Sequence, residues 1–213
     1  MSIDNPRKTF PDIGSVVDYM NAARERGDEE LRKQYEPYYE RSQHFAYGWG
    51  SHIPMLASVI ATARPGPVLE IGVGRASSSL LVEMCRAMGR DLVGLDSSSE
   101  WIEEIREIGY PTLVNVSDWS TLPDLLLEGP IPFRTMSEWS VIFIDHGPAE
   151  ARLPVLKACR GYAEFIVCHD AHNPGYLVGF DEYLDTFRFR SDYTLMAAQT
   201  SVVSDVRAYA GAR

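Results

Sequence analysis

Five short apolar runs, PVLEIG, DLVGLD, TLVNV, WSVIFID and FIVCHD, recur between Pro67 and Asp170. Helix-prone stretches separate them: SSSLLVEMCRAMG, SSEWIEEIREIG, LPDLLLEG and ARLPVLKACRG. A strand that is apolar along its whole length must be covered on both faces. Five βα units in series therefore specify an α/β fold with a doubly wound, mainly parallel sheet and helices on either side. After His172 a helix around FDEYLDTF leads into YTLMAAQTSVVSDV, whose β-branched content suits a closing antiparallel strand pair. No repeat, low-complexity tract or long linker divides the chain.

The first fifty residues differ in character. Pro6, Pro11 and Gly14 interrupt the start, and the charged stretch from Ser15 to Arg41 predicts a solvated helical cap. Tyr38, Tyr39, His44, Phe45, Tyr47 and Trp49 then crowd aromatics into a short polar segment just before the helix-like run HIPMLASVIATA. Two readings compete here: aromatics packed on the main body, or a lid whose Tyr39, His44 and Tyr47 touch a substrate. The expected division is a cap or lid over 1–50 and a single compact domain over 51–213.

Composition narrows the partners. With 20 Lys+Arg against 30 Asp+Glu, a net charge of −10 provides no basic surface for nucleic acid or an anionic membrane. Cys85, Cys159 and Cys168 are odd in number and lack C-x-x-C spacing, so a reducing cytoplasm is the expected home. The N-terminus has no apolar signal-like core, and no apolar run approaches the length of a bilayer span.

In a doubly wound sheet ligands bind beyond the carboxyl ends of the strands, and here those ends are polar. The first gives Glu70-Ile71-Gly72-Val73-Gly74, the second Asp96-Ser97, the third Asp118-Trp119, the fourth Asp145-His146 and the fifth His169-Asp170. Two glycines let the backbone turn and approach a ligand at a helix N-terminus. A dinucleotide fingerprint requires a third glycine near position 77, where this chain has Ser77.

Glu-x-Gly-x-Gly followed by an acid at the end of the second strand resembles the Rossmann-like class I S-adenosylmethionine-dependent methyltransferases. From about Tyr47 onward the order of elements is similar to that family. The resemblance implies that Gly72 and Gly74 cradle the methionine part of the cofactor, Glu70 orients its amino group, and Asp96 with Ser97 holds the ribose. It further implies that Asp118 and Trp119 flank the adenine. The stretch from Val141 to Asp170 looks like small-molecule O-methyltransferases, in which the acids matching Asp145 and Asp170 contribute to a divalent metal site. Ala171 stands where that pattern has an Asn ligand. The expected route is thus metal-free, with His146 or His169 removing the acceptor proton beside Asp145 or Asp170, and with Mg²⁺ as the second choice.

The function so implied is methyl transfer from S-adenosylmethionine to oxygen or nitrogen of a small molecule. An NAD(P)-dependent oxidoreductase and a non-catalytic cofactor-binding subunit are the alternatives, and a homodimer is left open.

Overall fold

The computed structural model describes residues 52–128, 139–171, 177–193 and 199–209. The expected cap over 1–50, with Tyr39, His44 and Tyr47, lies outside the described residues.

Helix α1 (His52–Thr62) precedes β1 (Val68–Ile71), α2 (Arg75–Met88), β2 (Leu92–Asp96), α3 (Ser99–Arg106) and β3 (Leu113–Asn115). A 3₁₀ turn at Trp119–Thr121 then opens α4 (Leu122–Glu128). The chain continues through β4 (Trp139–Ile144), α5 (Arg152–Cys159), β5 (Ala163–His169), α6 (Phe180–Leu184), β6 (Phe189–Tyr193) and β7 (Thr200–Ser204). The seven strands form one sheet in the order β3-β2-β1-β4-β5-β7-β6. Neighbours from β3 to β5 are parallel, and β7 runs antiparallel to both β5 and β6.

The continuous apolar runs read as expected because two cores cover the sheet. Val68, Val141 and Phe143 face α1 and α2, while Leu69, Ile71, Ile142 and Ile144 face α5 and α6. Alternation along each strand assigns successive side chains to opposite cores. Every residue of β1, β2, β4 and β5 is buried. Burying one such aliphatic side chain contributes about 1.5–3 kcal/mol.

The closing antiparallel pair is present, with its second strand, TSVVS, inside the stretch expected to hold it. The first strand, FRSDY, begins before that stretch, and only Tyr193 of its five residues is buried. β6 is the sheet edge, so its outer face is solvated and its composition carries no apolar signal. Arg190 instead fixes it locally, binding Asp181, Asp185 and Asp192.

Candidate active site

Two groups of residues gather at the carboxyl ends of the central strands. The first is built around the turn after β1. Gly72 has φ +93°, and a Cβ there would lie 2.5 Å from the Asp145 carbonyl oxygen and the His146 nitrogen. Only glycine lets β1 turn away so tightly against the end of β4. Gly74 begins α2 in ordinary extended geometry, and a methyl placed on it would have Ser77 Oγ, at 3.8 Å, as its nearest neighbour. Space is therefore open beside it.

Asp96 ties this turn to β2. Its Oδ2 accepts the Val73 N–H at 2.9 Å and its Oδ1 accepts the Ser98 N–H at 2.7 Å. Burial raises its pKa, and the backbone amides of Ser98, Val73 and Ser97 work in the opposite direction. Ser97 beside it is exposed.

Glu70 lies beneath the turn, fully buried in a slot of the α1–α2 core. Ser78 Oγ and the Tyr110 hydroxyl both donate to its Oε2 at 2.8 Å, and the Gly74 N–H donates to Ser78 Oγ at 3.1 Å. Gly94, its partner on β2, makes room for this: a Cβ there would meet the Tyr110 ring at 2.9 Å. Burial pushes the Glu70 carboxyl up to about 7. Glu70 thus reaches the glycine turn through Ser78, underneath the surface a ligand would touch.

The adenine candidates lie after β3. Asp118 is exposed, and its Oδ1 accepts the Ser120 N–H at 2.9 Å, which holds its pKa below the usual carboxylate value. Trp119 is buried, with its indole N–H donating to the Gly147 carbonyl at 2.9 Å and its ring 4.3 Å from that of His146. Burial drives the His146 pKa down to about 3, so its imidazole is neutral. These contacts join the β3 and β4 ends.

The second group centres on Arg152, at the start of α5. Its guanidinium donates to the His146 carbonyl at 2.7 Å and the His169 carbonyl at 3.2 Å. It also donates to Asp145 Oδ1 at 2.9 Å and lies 3.5 Å from Asp170 Oδ2. Asp145 Oδ2 is 3.1 Å from His169 Nδ1. Against the effect of desolvation, the half-buried carboxyl of Asp145 is held below its ordinary pKa by His169 and Arg152, and by His52. Asp145 in turn raises His169 against the effect of burial. The His52 ring lies 4.4 Å from that of His169 and stacks on Phe143 at 5.4 Å. Asp170 adopts a left-handed φ of +56°.

Asp145, His169 and Asp170 therefore come together around one guanidinium, while His146 turns toward Trp119. Arg152 and His52 were not anticipated. An arginine at a helix start reads as a solvated charge, and a histidine opening an apolar helix reads as a terminus. The oxygen-rich Mg²⁺ arrangement expected as the second choice for Asp145 and Asp170 is a poor fit, because the nearest other donors to Asp145 are imidazoles and Ala171 offers no side-chain oxygen.

No family model matches the chain, and no curated protein matches its sequence. Among solved structures, the S-adenosylhomocysteine-bound methyltransferase PaMTH1 of Podospora anserina superposes with a TM-score of 0.52 at 16% identity, over 92% of this chain and 88% of that one. The chain has a class I methyltransferase fold. Two further structures with that fold superpose less closely. The Methanococcus jannaschii fibrillarin pre-rRNA processing protein gives a TM-score of 0.49 at 10% identity, over 72% of this chain and 75% of that one. The N-terminal domain of human METTL16 with S-adenosylhomocysteine gives 0.47 at 11%, over 74% and 71%. The chain spans 66% of the METTL16 methyltransferase domain in a second crystal form. In this methyltransferase fold the glycine turn, Asp96 and the Asp145–His169 pair occupy adjacent strand ends.

Proposed function

We propose that this protein transfers a methyl group from S-adenosylmethionine to an oxygen or nitrogen of a small-molecule acceptor. The observation that carries the reading is the glycine turn held by Asp96, with open space beside Gly74. S-adenosylmethionine, when bound, supplies a positively charged sulfonium centre with a transferable methyl. A dinucleotide fingerprint, by contrast, has a third glycine where the helix packs against the pyrophosphate, and this chain has Ser77 there.

Within this reading Gly72 and Gly74 shape the seat of the methionine part, and Asp96 with Ser97 accepts the ribose hydroxyls. Asp118 and Trp119 border the adenine. Glu70 positions the turn through Ser78. Asp145, His169 and Asp170 form the acceptor end, and His146 shapes it by packing on Trp119. The net charge of −10 favours a small acceptor over a polyanion.

Titration calorimetry with S-adenosylhomocysteine and with NAD tests the cofactor. Micromolar binding of the former alone is expected, and binding of NAD alone would refute the reading. Methyl transfer from labelled S-adenosylmethionine to hydroxylated or amino small molecules, run beside transfer to RNA, tests the acceptor class. Labelling of RNA alone would overturn the small-molecule assignment.

A further inference from the structure

We infer that His52, Asp145 and His169 bind one first-row divalent cation of the Zn²⁺ class, in a site distinct from the oxygen-ligand Mg²⁺ arrangement. One donor atom from each residue lies within 4.8 Å of those of the other two. Nitrogen and carboxylate bonds to such an ion are about 2.0–2.2 Å long, and in its tetrahedral geometry two ligands stand about 3.4 Å apart. Closing the site therefore requires the widest pair to approach by roughly 1–1.5 Å. The three residues come from α1, β5 and the end of β4, and their convergence is produced by the fold.

The surroundings are those of held ligands. Arg152 binds Asp145 through Oδ1, which leaves Oδ2 directed at His169. Arg152 also fixes the His169 carbonyl, and the His52 ring rests on Phe143. A hydrogen-bonded carboxylate and packed imidazoles are the outer-shell features that orient metal ligands. His169 turns Nδ1 to Asp145 Oδ2 at 3.1 Å, and its other ring nitrogen, Nε2, is buried with no hydrogen-bond partner among the described residues. A buried imidazole nitrogen in that position is costly unless something accepts its lone pair or its proton.

The donor set decides which cation. Two imidazoles with one carboxylate suit Zn²⁺, Fe²⁺, Co²⁺ or Mn²⁺, whereas Mg²⁺ prefers six oxygens and keeps its waters. An ion here would sit at the end of the site assigned above to the acceptor, where it would polarise a bound hydroxyl. Its binding does not depend on the methyl-transfer reading.

The test uses the untagged full chain, stripped with a chelator and dialysed, and then titrated separately with Zn²⁺, Mn²⁺ and Mg²⁺. Elemental analysis counts the bound ion. We expect one equivalent of Zn²⁺, bound at least a hundredfold more tightly than Mg²⁺. His52→Ala, His169→Ala and Asp145→Asn should each weaken Zn²⁺ binding at least tenfold. Because substitutions at buried positions can prevent folding, the parent protein is also loaded with Co²⁺. Visible bands of nitrogen and oxygen coordination, without a thiolate charge-transfer band, would support the site and exclude Cys85, Cys159 and Cys168. Substoichiometric Zn²⁺, equal affinity for Mg²⁺, a thiolate spectrum, or undiminished binding in folded His52→Ala would each overturn it. Asp145 and His169 would then be a metal-free pair. Cofactor binding by calorimetry is a separate readout, so failure here is distinguishable from failure of the methyl-transfer reading.

Discussion

Replacing Glu70 with Gln should stabilise the protein at alkaline pH. The carboxyl is fully buried and its pKa rises from 4.5 to about 7 through burial, despite hydrogen bonds from Ser77, Tyr110 and Ser78. A raised carboxyl pKa means that the neutral acid favours the fold. That contribution is complete below about pH 4.5, fades as pH rises, and is lost above about pH 7. The interval corresponds to about 3 kcal/mol at 1.36 kcal/mol per pH unit. Glutamine is neutral at every pH and keeps an oxygen for Ser78 and Tyr110. The difference in Tm between Glu70→Gln and the parent should therefore grow between pH 5 and pH 8.5, by roughly 6–12 °C for a domain of this size. Paired thermal melts across that range measure it, and any fixed offset from the new amide cancels. A gap that stays constant, or one that moves against the variant as pH rises, would refute the argument that ionised Glu70 opposes folding.

Four further substitutions have outcomes set by the site geometry. Asp96→Ala removes the acceptor of the Val73 and Ser98 amides and should weaken S-adenosylhomocysteine tenfold to a hundredfold, about 1.5–3 kcal/mol by calorimetry. Gly72→Ala should destabilise by more than about 2 kcal/mol in denaturant unfolding, because the methyl strikes the β4 backbone and the positive φ is strained. Gly74→Ala should leave stability within about 1 kcal/mol, so that any effect appears in cofactor affinity. Arg152→Met should cost about 3–5 kcal/mol in the same unfolding assay, since it leaves Asp145 and Asp170 without their cation, and Arg152→Lys should not restore it because one ammonium cannot reach two carbonyls and two carboxylates.

The parallel sheet was legible because Leu69, Ile71, Ile142 and Ile144 belong to mostly apolar runs, broken only by Glu70 and Ser140, which a two-sided core explains. Asp96, Asp145 and Asp170 were legible for the converse reason, as charges placed where an apolar run stops. β6 was not, because an edge strand such as FRSDY needs no apolar face. Arg152 was hidden for a different reason: its burial follows from the approach of β4 and β5, which are separated in sequence by the helix that carries it. His52 was hidden by distance, since nothing in HIPMLASVIATA indicates that its first residue meets the end of β5. The role of Tyr110 depends on a missing atom, the absent Cβ of Gly94, and a space of that kind leaves no periodic trace.

Helix α1 carries His52 on its first turn and still precedes the first strand. A division of labour between a covering N-terminal region and a chemical body would place its boundary just before this residue, yet the boundary passes beside the site itself. A shortened protein starting a few residues later would keep every strand and the glycine turn, but it would strip the buried Ile53, Met55 and Leu56 from the core that α1 covers. It would also lose His52, whose ring lies 4.4 Å from that of His169. A truncation made to expose the site for study would thus disturb the packing and the site in one step, and its effects on the two could not be read apart.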